Sequence, residues 1–197
     1  MMLSGVKIGF AITGSHCTLG EVLPAMQQLK EEGAELFPIL SPSVRDTDTR
    51  FGKAADLYQK VVEISGHPPI TTIAEAEPIG PRKMLDLVLV APCTGNTMAK
   101  LAQGISDTSV TMACKAQLRN NRPVVLAIAT NDGLGTNARN LATLLNKRHI
   151  YFVPFGQDAP HTKETSLNAR MSLIPDTIAS ALEQRQIQPL LLVFHEA

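Results

Sequence analysis

A chain of 197 residues and 21.2 kDa is long enough to bury a two-sided core, and it leaves room for one α/β domain or two small ones. Eighteen basic residues balance eighteen acidic ones, so no net field draws in a polyphosphate backbone and nucleic acid is a poor ligand. A hydrophobic content of 44% argues against disorder, and the longest apolar runs, 124–129 and 190–194, are far shorter than the roughly 18 residues of a membrane span. The start, Met1-Met2-Leu3-Ser4-Gly5-Val6-Lys7, lacks the basic stretch, apolar run and cleavage site of a signal peptide, and a cytoplasmic protein is expected. Cys17, Cys93 and Cys114 are odd in number without C-x-x-C spacing, and the five His are scattered. Neither a disulfide framework nor a metal site is expected.

In chain order, residues 6–12 form a nearly continuous aliphatic run, which is how a strand covered on both faces reads. After a turn at 13–18, the apolar stripe Val22, Leu23, Met26 and Leu29 predicts a helix. Thr18 and Glu21 have capping-box spacing, Pro24 falls in the second turn, and Gly33 stands where a helix C-terminal glycine belongs. A second strand at 35–40 closes the first β-α-β unit. Residues 65–83 hold Pro68, Pro69, Pro78 and Pro81 and read as an irregular excursion, either a functional loop or a plain connection. A third strand at 85–91 follows, then a helix with Met98, Leu101, Ala102 and Ile105 on one stripe. A fourth strand spans 123–129, a helix carries Ala138, Leu141, Ala142 and Leu145, and a fifth strand covers 150–155. The polar stretch 158–170 leads into a last helix with Pro175 near its start and Ile178, Ala181 and Leu182 on its buried side. Residues 190–194 are read as an edge strand or a contact with a neighbour. No repeat or linker divides the chain, so one α/β domain over 1–197 is expected, a doubly wound parallel sheet that binds its ligand at the carboxyl ends of the strands.

Chemistry concentrates at two of those strand ends. Thr13-Gly14-Ser15-His16-Cys17-Thr18 is a tight turn opening a helix, where unpaired N–H groups and the helix dipole favour an anion; it also reads as an ordinary turn capped by hydroxyl residues. Gly9 and Gly14 have the spacing of a P-loop glycine pair, but Ser15 occupies the place of the phosphate-binding Lys. No G-x-G-x-x-G follows, and the second strand ends in Ser41-Pro42-Ser43 instead of an acidic residue for a ribose. A phosphate monoester suits these hydroxyls better than a dinucleotide. At the third strand, Thr94, Asn96 and Thr97 offer donors at a second helix N-terminus, and there too a capped helix is the plainer alternative.

The segment Ala91-Pro92-Cys93-Thr94-Gly95-Asn96-Thr97, continued to Asp107, resembles the P-A-x-A-N-T-x-x-K-x-A-x-G-I-x-D motif of an FMN-binding flavoprotein family. That family includes phosphopantothenoylcysteine decarboxylase, lantibiotic cysteine decarboxylases and flavin prenyltransferases. Gly9-Phe10-Ala11-Ile12-Thr13-Gly14-Ser15 is similar to its G-I-T-G-S opening, and the likeness extends over most of residues 5–155. The resemblance implies a Rossmann-like flavoprotein fold, FMN phosphate near Thr13, Gly14, Ser15 and Ser41, and isoalloxazine near Pro92, Cys93, Thr94, Asn96 and Thr97. It implies a closed homo-oligomer built from trimers as well.

Two departures bear on activity. The family's decarboxylases carry a catalytic His shortly before the third strand, where this chain has Glu75-Ala76-Glu77-Pro78-Ile79-Gly80-Pro81; His67 stands too early. Their P-x-M-N-x-x-M-W substrate segment is replaced by residues 129–137. Decarboxylation of a cysteinyl substrate is therefore disfavoured. Gly14-Ser15-His16-Cys17-Thr18, Thr49-Arg50-Phe51-Gly52, Asn131-Asp132-Gly133-Leu134-Gly135 and Pro154-Phe155-Gly156-Gln157-Asp158 are instead similar to a B-subunit branch of the family. This likeness runs the whole chain, through 166–171 to Gln188-Pro189. It implies a partner A subunit resembling an NAD(P)-dependent dehydrogenase, oxidation of a dihydro precursor to a pyridine dicarboxylate, and the mother-cell cytoplasm of a sporulating bacterium. A flavin-free chain that binds substrate or aids assembly is the alternative.

A dicarboxylate needs cations. Arg45, Arg50, Lys53, Arg139, Lys163 and Arg170 are the candidates; the bidentate geometry of Arg makes Arg50 and Arg139 preferred to the lysines, although each also reads as a solvated surface charge. The catalytic group is unknown, with His16 a weak candidate proton donor. Cys93 reads as a packing residue, and His149 and His195 as structural or surface residues.

Overall fold

The computed structural model describes residues 3–193. Its centre is one sheet in the order β2-β1-β3-β4-β7-β6, with β5 also paired to β4. The strands are β1 (Lys7–Ile12), β2 (Glu35–Leu40), β3 (Leu87–Cys93), β4 (Val124–Thr130), β5 (Ile150–Phe152), β6 (Phe155–Gly156) and β7 (Leu167–Ala169). Strands β2, β1, β3, β4 and β5 run parallel, and all seven residues of β3 are buried. The continuous aliphatic runs thus have the expected cause, a sheet covered by helices on both faces.

The helices are α1 (Leu19–Glu31), α2 (Pro42–Asp46), α3 (Ala54–Ser65), α4 (Ile73–Ala76), α5 (Gly95–Gln103), α6 (Ser109–Arg119), α7 (Ala138–Leu145) and α8 (Ile174–Leu182). Val22, Met26 and Leu29 of α1, Met98 and Leu101 of α5, and Ile178 and Ala181 of α8 supply the apolar faces. Gly33 (φ +91°) follows α1 in the left-handed region, and Ala34 donates its N–H to Leu29 O at 3.1 Å, closing the helix as its position predicts. No helix among the described residues is long and apolar enough to cross a membrane.

Several expectations need correction. The doubly wound sheet is mixed at one side: β7 pairs antiparallel with both β4 and β6. Strand β4 is long enough to share its outer edge, holding β5 along 124–126 and β7 along 129–130. The third strand lies two residues later than expected at each end, and the fifth is broken by Val153-Pro154 into β5 and β6. No Thr18–Glu21 capping box forms. The chain passes through a 3-10 turn at His16–Thr18 before α1, and the Thr18 hydroxyl donates back to Ser15 O at 2.8 Å. The proline-rich excursion contains α4, closed by a capping box between Thr72 and Glu75. Ile105 lies beyond α5 and is exposed; on α7, Leu141 and Leu144 are buried while Ala142 and Leu145 face solvent. Leu191 bridges Phe155 in parallel, which supports the edge-strand reading, whereas Phe194 and His195 lie outside the described residues.

Candidate functional site

Adjacent strands β1 and β3 send their crossovers in opposite directions, β1 through α1 to β2 and β3 through α5 and α6 to β4. Their carboxyl ends therefore flank the point where the winding reverses, the place where open α/β sheets leave a crevice. Thr13 stitches the two ends together. Buried, it donates its hydroxyl to Pro92 O at 2.6 Å and accepts the Thr94 N–H at 3.0 Å. The Ala91–Pro92 peptide is cis, and the β3–β4 register shifts between Val90 and Cys93. Thr13 thus shapes the crevice and has both hydrogen-bonding roles of its hydroxyl in use.

On the β1 side, Gly14 lies against the connection that follows β2. A Cβ at Gly14 would fall 2.9 Å from Ser43 Oγ and 3.8 Å from His16 Nε2. Ser43 Oγ is 3.0 Å from Ser41 Oγ, and Ser15 Oγ lies 3.8 Å from the exposed Cys17 thiol. The Ser43 hydroxyl, with that of Ser41 bonded behind it, thus lies against a backbone position that a side chain at residue 14 would crowd, and Ser15 follows in the turn that opens α1. This donor set fits a phosphate monoester. Ser43 lies outside the set that the sequence motifs mark; its one signal is a second hydroxyl two places after Ser41, at the head of α2.

On the β3 side, Thr94 caps α5: its Oγ1 accepts the Thr97 N–H at 3.3 Å and donates to Thr97 Oγ1 at 3.1 Å. The capped-helix reading holds for these hydroxyls, and Thr97 is buried. Asn96 is exposed in the first turn, where helix geometry leaves N–H groups without intrahelical partners. The Cys93 side chain is buried, and both that burial and the neighbouring Cys114 thiol push its pKa up, so residue 93 borders the crevice through its backbone and not as a reactive thiol.

A polar chain beneath the start of α5 draws on the 129–137 segment, although the sequence assigns its side chains no role. Asp132 accepts from the Thr130 hydroxyl and, at 2.8 Å, from Asn137 Nδ2; Asn137 Oδ1 accepts from Asn140 Nδ2 at 2.8 Å. These groups close tightly over Gly95, where a Cβ would fall 2.6 Å from Asn137 Nδ2, 2.7 Å from Thr130 Oγ1 and 2.8 Å from Asp132 Oδ1. The Asn131-Asp132 pair at the end of an apolar strand is the available signal.

The cations divide into engaged and available. Arg45 is paired with Asp46 at 2.6 Å and bonded to Thr71 O, and Lys163 lies 3.7 Å from Asp158. Arg50, in the connection after β2, rests over the exposed Phe51 ring at 4.8 Å. Arg139, in the first turn of α7, is exposed two residues beyond Asn137, and Lys53 is exposed ahead of α3. Arg170 joins Thr18 and Asp158 in lining a cleft of about 370 Å³ beside the α1 turn. Neither Arg139 nor Arg170 makes an ion pair among the described residues.

Residues 75–81 hold two acids, of which Glu75 is engaged as a helix cap and Glu77 is exposed beside α6. Glu75 accepts the N–H groups of Thr71 (2.8 Å) and Thr72 (3.0 Å), and those backbone donors hold its carboxyl below the usual range. Glu77 opens the 3-10 turn that follows α4 and faces the far side of that turn, against α6. His67 is stacked on Phe37 with ring centroids 4.9 Å apart and lies 4.0 Å from Glu35. Glu35 opens β2, so His67 belongs to the amino edge of the sheet, a strand length of roughly 20 Å from the crevice. His149 lies at the amino edge too, just before β5, with φ +64°.

Comparison with known proteins agrees with this architecture. A family model described as Flavoprotein matches residues 1–166, and the chain belongs to that family. The B subunit of dipicolinate synthase from Bacillus subtilis (strain 168) is 48% identical over 190 residues, covering 96% of this chain and 95% of that protein. The crystal structure of the dipicolinate synthase B subunit from Bacillus halodurans C superposes with a TM-score of 0.90 at 45% identity, covering 98% of this chain and 99% of the other. The FMN-dependent cysteine decarboxylase SpaF shares the fold at a TM-score of 0.63 and 19% identity, over 91% of this chain and 96% of that one.

Proposed function

Because the chain is a member of the flavoprotein family, we propose that it binds FMN in the β1–β3 crevice and works as the B subunit of a dipicolinate synthase. The observation that carries this reading is the 48% identity to a dipicolinate synthase B subunit over nearly the full length of both chains. The reaction is the oxidation of a dihydrodipicolinate-level precursor to pyridine-2,6-dicarboxylate, with loss of a hydride and a proton and with aromatisation as driving force. When bound, FMN supplies a two-electron acceptor. NAD(P) belongs to a dehydrogenase-like A subunit, and the setting is the mother-cell cytoplasm of a sporulating bacterium.

Within this chain, the hydroxyls of Ser15, Ser41 and Ser43 around Gly14 hold the phosphate. Thr13 fixes the separation of the two strand ends, and the backbone of 92–97 meets the ring. Thr94 and Thr97 act by holding the first turn of α5 in place. Arg139 and Arg50 bind the substrate carboxylates by paired hydrogen bonds. His16, lying over Gly14, is a phosphate-side contact.

Titration of the purified chain with FMN, followed by calorimetry and the visible spectrum, tests the cofactor, and one FMN per chain is expected. A folded chain that binds none turns the reading to a flavin-free role in substrate binding or assembly. Dipicolinate formation should require both subunits; full production by this chain with FMN and an electron acceptor alone overturns the two-subunit reading. No turnover of phosphopantothenoylcysteine is expected, since Glu75 is spent as a helix cap and His67 lies at the far edge of the sheet.

A further inference from the structure

The amino edge of the sheet holds a second concave site, a cleft of about 480 Å³ at the opposite strand ends from the crevice. Three segments remote in sequence bring cations to it: Lys7 at the start of β1, Arg82 and Lys83 in the turn before β3, and Arg122 before β4. Phe37 and Met84, both partly buried, add an apolar wall.

The opposing charges are fewer and largely engaged. Asp86 accepts the Lys7 backbone N–H at 2.8 Å and lies 3.8 Å from Arg122. Glu35 stands 4.0 Å from both Lys7 Nζ and His67 Nε2. Arg82 and Lys83 make no ion pair among the described residues. Four cations therefore face two carboxylates in a chain whose total charge is zero, which makes the field a local one.

Two features distinguish the cleft from a scatter of solvated lysines. Arg122 is anchored, donating to Lys83 O at 3.3 Å and to Leu85 O while paired with Asp86. Its charge is thus preorganised, and little side-chain freedom remains to be lost on binding. Lys83 has φ +50°, a left-handed conformation that a glycine adopts freely and a Lys resists. The turn holds a charged residue in a strained backbone position at the rim of a basic cleft, a combination that points to function.

We propose that this cleft binds a small organic polyanion carrying at least two phosphate or carboxylate charges. Arg82 and Lys83 are the mobile contacts and Arg122 the fixed one, while Phe37 and Met84 take the uncharged part of the ligand. The site is separate from the FMN crevice and does not depend on it.

Calorimetric titration of the full chain with inorganic pyrophosphate and, separately, with citrate tests this, the two arms distinguishing a phosphate from a carboxylate ligand. At least one should bind, and raising the salt from low to about 0.3 M should weaken binding several-fold because the contacts are exposed. The double variant R82A/K83A should lose roughly tenfold or more in affinity. K83G keeps the left-handed turn and removes one charge, so it should weaken the anion while remaining at least as well folded. FMN titration should be unchanged in both variants. Binding of neither probe, equal binding by parent and double variant, or a parallel loss of FMN binding would overturn the proposal. Binding of a poly-glutamate peptide alone would overturn it in favour of docking by an acidic protein.

Discussion

Gly14 and Gly95 both meet atoms closer than 3.0 Å to an added Cβ, yet the neighbours differ in kind. At Gly14 the obstacle is the Ser43 hydroxyl, the free end of a short side chain that can turn away. Gly14→Ala should therefore leave the urea midpoint almost unchanged and weaken FMN by tenfold or more, about 1.4 kcal/mol, because the methyl fills the anion cradle. At Gly95 the obstacles are three polar groups already fixed by mutual hydrogen bonds, and none moves without breaking the chain from Thr130 to Asn140. Gly95→Ala should cost about 1–3 kcal/mol of stability by urea denaturation. The thiols separate in the same manner. Cys17 is exposed, whereas Cys93 and Cys114 are buried, so a thiol reagent should titrate one group per native chain and three after unfolding. Burial pushes the Cys114 pKa up to about 12 from an ordinary 9.0, so the folded chain retains a proton that the unfolded chain releases. That contribution is complete below about pH 9 and declines as pH rises toward 12; Cys114→Ala should flatten part of the alkaline fall in stability, and Cys93 acts in the same direction.

Between strands and helices, the outer edge of β5 is closed by a side chain instead of a further strand. One side chain brackets it: Gln186 Oε1 accepts the Phe152 N–H at 2.8 Å, and Gln186 Nε2 donates to Phe152 O at 2.7 Å. The chain beyond then zips onto β6 through Phe155 N–H to Leu190 O (3.1 Å) and Leu192 N–H to Phe155 O (2.9 Å). Gln186→Ala should cost about 1 kcal/mol globally and markedly speed hydrogen exchange and proteolysis near 183–193. Nothing in the sequence marks this clasp, since a Gln among polar residues has no periodicity. The same physics explains what was legible. Strands β1 to β4 are six or seven residues of near-continuous aliphatic sequence, and burial on both faces leaves that imprint. Strands β6 and β7 have two and three residues, too few to repeat a pattern, and they form only because β4 extends past β5. The Thr18–Glu21 spacing misleads because a 3-10 turn takes Thr18 inside it, while Thr72 and Glu75 form a capping box that the prolines around them conceal. At the site, single hydroxyl and glycine positions are readable from the strand-end turns. Asp132 is marked by its place in the 131–135 motif, but the hydrogen-bonded chain it joins is not legible, because it links a strand end to a helix through a fold-dependent approach to Gly95.

For the molecule as a whole, the edge that carries the crevice is incompletely covered. Phe51 and Leu134 are 53% and 50% exposed, and they lie in the connections that leave the carboxyl ends of β2 and β4 on either side of the site. Large apolar side chains left exposed in the connections at this edge of the sheet favour cover by another protein surface. A closed homo-oligomer assembled from trimers, as proposed from the family resemblance, would supply it, and the zero net charge offers no repulsion against close association. Light scattering of the purified chain should then give a multiple of three. Leu134→Arg tests whether that contact matters to the site: the loop tip is exposed, so the monomer should fold with its thermal midpoint nearly unchanged, while assembly and FMN affinity fall together. If the parent is monomeric over a wide concentration range, the oligomer is wrong. If Leu134→Arg dissociates the assembly and FMN still binds as tightly as before, the assembly exists but contributes no wall to the crevice, and Gly14, Ser15, Ser41 and Ser43 of one chain hold the cofactor unaided.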